Sequence, residues 1–137
     1  MDAKPLADDL FVVEPDGPRL VAGRHRTSGR LAFPLPAGSE GEVFERVLLP
    51  REGTLWSWTV QRFLPKAPPY GGAETPETFQ PYVVGYVELP GALIVEARIV
   101  DVPPEQLRLG LPLTLVLRPF THRDGSTRTV YAFAPIG

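Results

Sequence analysis

Three observations predict an all-β domain. The chain of 137 residues carries 17 prolines and 13 glycines, more than long helices tolerate and just under the ~25–30% of low-complexity disorder. Short β-branched and aromatic runs alternate with turn residues along its second two thirds. The one internal segment with helix-start chemistry, Asp101 to Leu107, has room for only one or two turns before Gly110 and Pro112. With 43% hydrophobic and 22% charged residues, the chain is long enough for one core and falls short of the ~150 residues per domain used as a prior.

Element by element, Leu6, Leu10 and Phe11 sit at helical spacing between Pro5 and the turn Pro15-Asp16-Gly17-Pro18, which predicts a short N-terminal helix. Arg19 to Gly23 reads as a brief strand. Arg24 to Glu42 is rich in Gly, Ser, Pro and Arg, with Leu31-Ala32-Phe33 as its apolar knot. Residues 1–42 are therefore expected to form an arm, and residues 43–137 a barrel. The barrel opens with Val43 to Leu49 and the turn Pro50-Arg51-Glu52-Gly53. In the next run, Thr54 to Arg62, residues Trp56, Trp58 and Val60 oppose Leu55, Ser57, Thr59 and Gln61 at period two. That alternation assigns both tryptophans to the core face, since the odd-numbered set is more polar. Facing outward instead, they would make a platform for a protein partner or for stacked bases.

Pro81 to Leu89 and Ala92 to Val102 read as an antiparallel hairpin across Pro90-Gly91. Leu113 to Phe120 and Thr127 to Ala134 form a second hairpin, whose tip His122-Arg123-Asp124-Gly125-Ser126 contains an Asp-Gly turn signal. Five to six antiparallel strands with a shrunken helical connector after the third long one predict a small barrel of OB type, with a β-sandwich as the alternative. The long connection Leu64 to Gln80 exceeds the ~12–15 residues usual for structureless loops in compact domains, which marks it as functional.

Composition excludes several chemistries. A net charge of −2 gives no general drive toward nucleic-acid phosphates. The absence of cysteine removes disulfides, thiol nucleophiles and cysteine-ligated metal. No run approaches the ~18–20 apolar residues of a membrane span, and the first residues lack a signal peptide's basic start and apolar core, so a soluble, cytoplasmic chain away from membranes is expected. His25 and His122 are the sole imidazoles. One lies in the arm and the other at a hairpin tip, where a buried, oriented base is not expected. No paired carboxylates, helical His pair or phosphate-cradling glycine loop is present, and no catalytic residue is assigned.

Three segments carry a resemblance to a known family. They are Gly53-Thr54-Leu55-Trp56-Ser57-Trp58-Thr59, Pro81-Tyr82-Val83-Val84-Gly85-Tyr86-Val87-Glu88-Leu89, and Val102-Pro103-Pro104-Glu105-Gln106-Leu107-Arg108-Leu109-Gly110-Leu111-Pro112-Leu113. In their order from Gly23 onward, the chain resembles the small bacterial and archaeal proteins in which a rubredoxin-like zinc ribbon is fused to an acyl-CoA-associated OB-fold. Where that family carries Arg-Cys-x-x-Cys-Gly, this chain has Arg24-His25-Arg26-Thr27-Ser28-Gly29. The second cysteine pair falls at Gly38-Ser39-Glu40-Gly41, so the resemblance implies a degenerate ribbon without zinc, held by Leu20, Leu31 and Phe33 or by a partner chain. It further implies a non-catalytic accessory subunit of a thiolase-like enzyme (a thiolase, a synthase or a steroid side-chain aldolase) that helps hold the acyl-CoA in a hetero-oligomer of lipid or steroid metabolism.

The residues themselves point to a binding loop. In Leu64-Pro65-Lys66-Ala67-Pro68-Pro69-Tyr70-Gly71-Gly72, prolines pre-order the backbone while Lys66 offers a cation and Tyr70 a stacking face. Arg62, Arg118 and Arg123 are the candidate partners of CoA phosphates, because guanidinium forks suit phosphate oxygens. The alternative function is a free-standing OB-fold that binds single-stranded nucleic acid.

Overall fold

The computed structural model describes residues 4–5, 10–62, 78–122 and 124–136. Among them the strands are β1 (Lys4–Pro5), β2 (Phe11–Glu14), β3 (Gly17–His25), β4 (Leu31–Ala32), β5 (Phe44–Leu48), β6 (Glu52–Gln61), β7 (Tyr82–Glu88), β8 (Ile94–Ile99), β9 (Pro112–Thr121) and β10 (Thr127–Pro135). One helical turn, α1 (Gly38–Gly41), lies in the arm, and a 3-10 turn at Pro104–Gln106 occupies the connector after β8.

Strands β6 to β10 close on themselves. β6 pairs antiparallel with β7 on one side and β9 on the other, β7 pairs with β8, and β9 with β10. The circle closes where β10 runs parallel to β8 at Phe133 and Ile99. This is a five-stranded barrel of OB type. The β7–β8 hairpin forms for the reason its sequence gives. Pro90 and Gly91 occupy the middle of a turn closed by the Ala92 amide donating to the Leu89 carbonyl at 3.0 Å. Gly91 supplies the positive φ of 70° that a side chain disfavours there.

The arm departs from its expected outline in two places. Phe11–Glu14, placed by helical spacing at the end of a helix, is strand β2 and pairs with β3 from Phe11↔Leu20 to Glu14↔Gly17. The β-branched pair Val12 and Val13 suits a strand, and Pro15-Asp16 makes the tight connection that lets the hairpin close. Leu6 lies outside the described residues. Secondly, β5 pairs with β3 from Val21↔Leu48 to His25↔Phe44, so residues just past the composition break at Val43 belong to the arm's sheet.

Arm and barrel share one core. Phe11, Leu20 and Ala22 of the arm pack in the same buried cluster as Leu55, Val87, Leu113 and Phe133 of the barrel. Phe33 meets Tyr131 of β10 edge-on, with ring centroids 5.9 Å apart. Between the two units, Arg51 donates through Nε to the Pro18 carbonyl at 3.0 Å and sets Nη2 2.8 Å from Asp16 Oδ1. Asp16 is held below the usual carboxylate range chiefly by that hydrogen-bonded guanidinium.

A register shift between Leu55 and Ser57 places a bulge in β6. Period-two alternation stops there. Leu55 stays inside and Trp56 stands 56% exposed, while Trp58 and Val60, beyond the bulge, pack against the core. The core assignment is thus right for Trp58 and wrong for Trp56, because an extra residue shifts the phase of every side chain beyond it.

Candidate functional site

The outer wall of β7 and β8 is set by alternation. Val83, Gly85 and Val87 point inward with Val95, Ala97 and Ile99, leaving Tyr82, Tyr86 and Glu88 outward beside Ile94, Glu96 and Arg98. At the end of this wall nearest the β6–β7 connection, the Arg98 guanidinium carbon lies 3.6 Å from the Tyr82 ring centroid. The β9–β10 hairpin brings Phe120 to 5.6 Å from the same carbon. Phe79 stands edge-on to Tyr82, centroids 6.0 Å apart. A guanidinium laid on aromatic faces directs its in-plane N–H groups sideways, a geometry suited to phosphate oxygens, while the rings offer faces to a planar base.

The arginines singled out in the sequence have separate fates. Arg62 follows β6 and is exposed. Arg118 is committed to an ion pair with Asp101 and donates to the Leu117 carbonyl at 3.0 Å. Lys66, Tyr70 and Arg123 lie outside the described residues. Sequence reasoning missed Tyr82, Arg98 and Phe120. For the first two the signal was present, since pairing outward from Pro90-Gly91 sets Arg98 opposite Val84 and diagonal to Tyr82. Nothing local announces Phe120, which reaches the site through the long β9–β10 hairpin.

Two groups near the site have displaced protonation. At the hairpin tip, the Ser126 hydroxyl donates to Asp124 Oδ1 at 2.6 Å and the Ser126 amide at 2.8 Å. Those bonds, with the His122 and Arg128 charges, pull the Asp124 carboxyl down to about 2. On β10, Tyr131 donates its hydroxyl to the Glu96 carbonyl at 2.9 Å. Burial first, and the Glu96 carboxylate second, push this phenol from 10.0 up to about 12. Because the folded phenol holds its proton more tightly than the unfolded one, its contribution to stability is intact below pH ~10 and is lost as pH rises toward ~12. An alkaline absorbance titration is expected to show one of the four tyrosines ionising near 12. Tyr131→Phe should remove that step, and a native profile with every tyrosine at the ordinary value would refute the assignment.

The arm's tip carries the segment that the resemblance sets in place of the ribbon's first cysteine pair. Nδ1 of His25 accepts the amides of Thr27 at 3.2 Å and Ser28 at 3.1 Å, and the Ser28 hydroxyl accepts the Arg30 amide at 3.3 Å. Gly29, at φ 76°, closes the turn by donating to the His25 carbonyl. Toward the second tip, Arg26 donates through its backbone amide to the Val43 carbonyl and through Nε to the Glu42 carbonyl at 3.2 Å. Among the described residues no three His, Asp or Glu side chains group closely enough to hold a metal ion. Among the described residues, no helix is long and apolar enough to cross a membrane.

The comparisons agree with this architecture. The family model described as the C-terminal OB-fold domain of ChsH2 matches residues 46–118. A DUF35 domain-containing scaffold protein of Pyrococcus furiosus is 30% identical over 124 residues, covering 86% of this chain and 84% of the relative. Among solved structures, the Ltp2-ChsH2(DUF35) aldolase shares the fold at a TM-score of 0.57 and 24% identity, over 85% of this chain and 84% of the other. With the five-stranded barrel and these matches together, the chain belongs to the family of the ChsH2 C-terminal OB-fold domain.

Proposed function

We propose that this protein is a non-catalytic scaffold subunit that joins a thiolase-like enzyme and helps hold its acyl-CoA substrate. The observation that carries the reading is the match along 84% of a relative described as a scaffold protein. The described residues support it from the chemical side. Neither histidine belongs to a nucleophile–base–orienter arrangement: His25 Nδ1 is taken by two backbone amides, and His122 Nδ1 lies 3.3 Å from both the Asp124 amide and its Oδ1 in a hairpin tip.

The Tyr82–Arg98–Phe120 cluster is the face we assign to the nucleotide end of CoA, the guanidinium to a phosphate and the rings to the adenine. Arg62 directly precedes in sequence the segment with Lys66 and Tyr70, and it supplies a second cation on this reading. The same cluster would suit single-stranded nucleic acid, but Glu88 and Glu96 share its wall and oppose a phosphate backbone that would have to track along it.

Co-expression with a thiolase-fold protein of the same genome, followed by size-exclusion chromatography with light scattering, is expected to yield a hetero-oligomer. In that complex Arg98→Ala should weaken acyl-CoA affinity by roughly tenfold, as expected for loss of one charge-assisted contact, without dissociating the subunits. A chain that stays alone with every such protein, or that binds a single-stranded oligonucleotide at low ionic strength more tightly than CoA, would refute the proposal.

A further inference from the structure

We infer that the opposite end of the β7–β8 wall is the surface by which the chain docks on its protein partner, through an aromatic anchor set in a carboxylate rim. Among the described residues seven large apolar side chains stand exposed, and four of them, Trp56, Tyr86, Ile94 and Leu109, lie at this end of the wall or on the strand and loop beside it. The bulge in β6 leaves Trp56 beside Ser57, which is paired with Tyr86. Ile94 lies one strand over, diagonal to Tyr86, since Tyr86 pairs with Glu96 and Glu88 with Ile94. On the other side, the Gly110 amide donates to the Leu55 carbonyl at 2.8 Å, which brings the 68%-exposed Leu109 alongside Trp56. The four positions therefore fall on one loop and on three neighbouring strands, β6, β7 and β8.

Physical cost argues that this set is covered. An indole that is more than half exposed beside a tyrosine and two aliphatic side chains leaves apolar surface in water that packing elsewhere in the molecule does not reclaim. Aromatic anchors of this kind concentrate binding energy at protein interfaces. The rim selects the occupant. Glu88 and Glu96 flank the anchor, and Glu88 forms no ion pair among the described residues. The complementary surface is thus an apolar socket bordered by arginine or lysine on a folded protein. A lipid headgroup layer or a nucleic acid would bring phosphate against those carboxylates. This assignment rests on the scaffold reading above: the partner is the thiolase-like subunit, and the Tyr82–Arg98 end of the same wall stays available to ligand.

The test uses the full chain with that co-expressed subunit. Trp56→Ala is expected to raise the dissociation constant by ~30-fold or more, the mark of an interface anchor. Glu88→Lys with Glu96→Lys should weaken binding at low salt and flatten its salt dependence. Val13→Ala, a substitution of a still more exposed side chain on the arm, should change affinity by less than about threefold. Circular dichroism checks that each variant is folded. A wild-type complex whose affinity is indifferent to the Trp56 and Glu88/Glu96 variants would overturn the docking face and leave the scaffold reading standing. No wild-type complex at all would overturn both. Self-association of the wild type that Trp56→Ala abolishes would give the face to a second copy of the chain and overturn the hetero-partner assignment.

Discussion

Replacing Phe133 with alanine is expected to cost about 3–5 kcal/mol of folding stability, the range measured for buried aromatic truncations, a fifth or more of the ~5–15 kcal/mol that holds a typical domain together. Phe133 has no exposed surface. It sits in β10 where that strand is paired on both sides, antiparallel to Leu115 of β9 and parallel to Ile99 of β8. Its carbonyl also accepts the Val100 amide at 2.9 Å. The β8–β10 contact closes the barrel, so the backbone around the missing ring is held by strands on either side and cannot collapse into the void. A site that cannot relax loses both the transfer free energy of the ring and the contacts of the cavity wall. Urea unfolding should show the midpoint falling with the slope unchanged, the signature of lost stability without a change in exposed surface. A loss below ~1.5 kcal/mol would mean that the barrel can rearrange around the gap, and that closure depends less on this ring than its position implies.

Much of this barrel was legible because its strands announce themselves locally. The Pro90-Gly91 turn fixes the β7–β8 register, and the β9–β10 hairpin follows from the Asp124-Gly125 tip in the same way. What failed to show is what depends on distant contacts. Leu6, Leu10 and Phe11 sit at helical spacing, yet the hydrogen bonds of Phe11 to Glu14 go to β3, and a short segment takes the structure of the edge it can complete. The β6 bulge is invisible because nothing in Leu55-Trp56-Ser57-Trp58 distinguishes a regular strand from one with an extra residue. That single unrecognised residue moved Trp56 from the expected core to the surface.

The site was legible in part for a related reason. Stacking groups are sought in the loop, where prolines and glycines draw attention, and cations at Lys66, Arg62, Arg118 and Arg123, whereas the described stack of Arg98 with Tyr82 and Phe120 lies on other strand positions. Strand residues look structural in a sequence, because alternation reports which face they occupy and not what converges there. The arm shows the converse. Its tip keeps the hairpin geometry at Gly29 while a histidine nitrogen accepts the two amides.

Gly53→Ala is expected to destabilise the chain by about 3 kcal/mol, near the top of the range for overpacking a tight site, and the reason is close approach, not backbone conformation. Gly53 pairs with Leu113 of β9, and the next residue, Thr54, pairs with both Glu88 of β7 and Pro112 of β9. At that crossing a Cβ on Gly53 would overlap the Glu88 carbonyl oxygen and come within 2.9 Å of Leu89 Cδ2. The first obstacle is backbone, which cannot swing aside as a side-chain end can. The end of β7 would have to move, and with it the pairing of Thr54 with Glu88. Gly29→Ala is the control. That glycine has φ 76° but open space around its missing side chain, so only the left-handed strain of roughly 1–2 kcal/mol applies. Thermal and urea unfolding of the two variants should separate them by about 1 kcal/mol or more, and equal losses would refute the close-approach account. Gly53 also leads into the bulge that presents Trp56 beside Tyr86. A shift at this crossing should therefore weaken partner binding in chains that remain folded, an effect Gly29→Ala should not share.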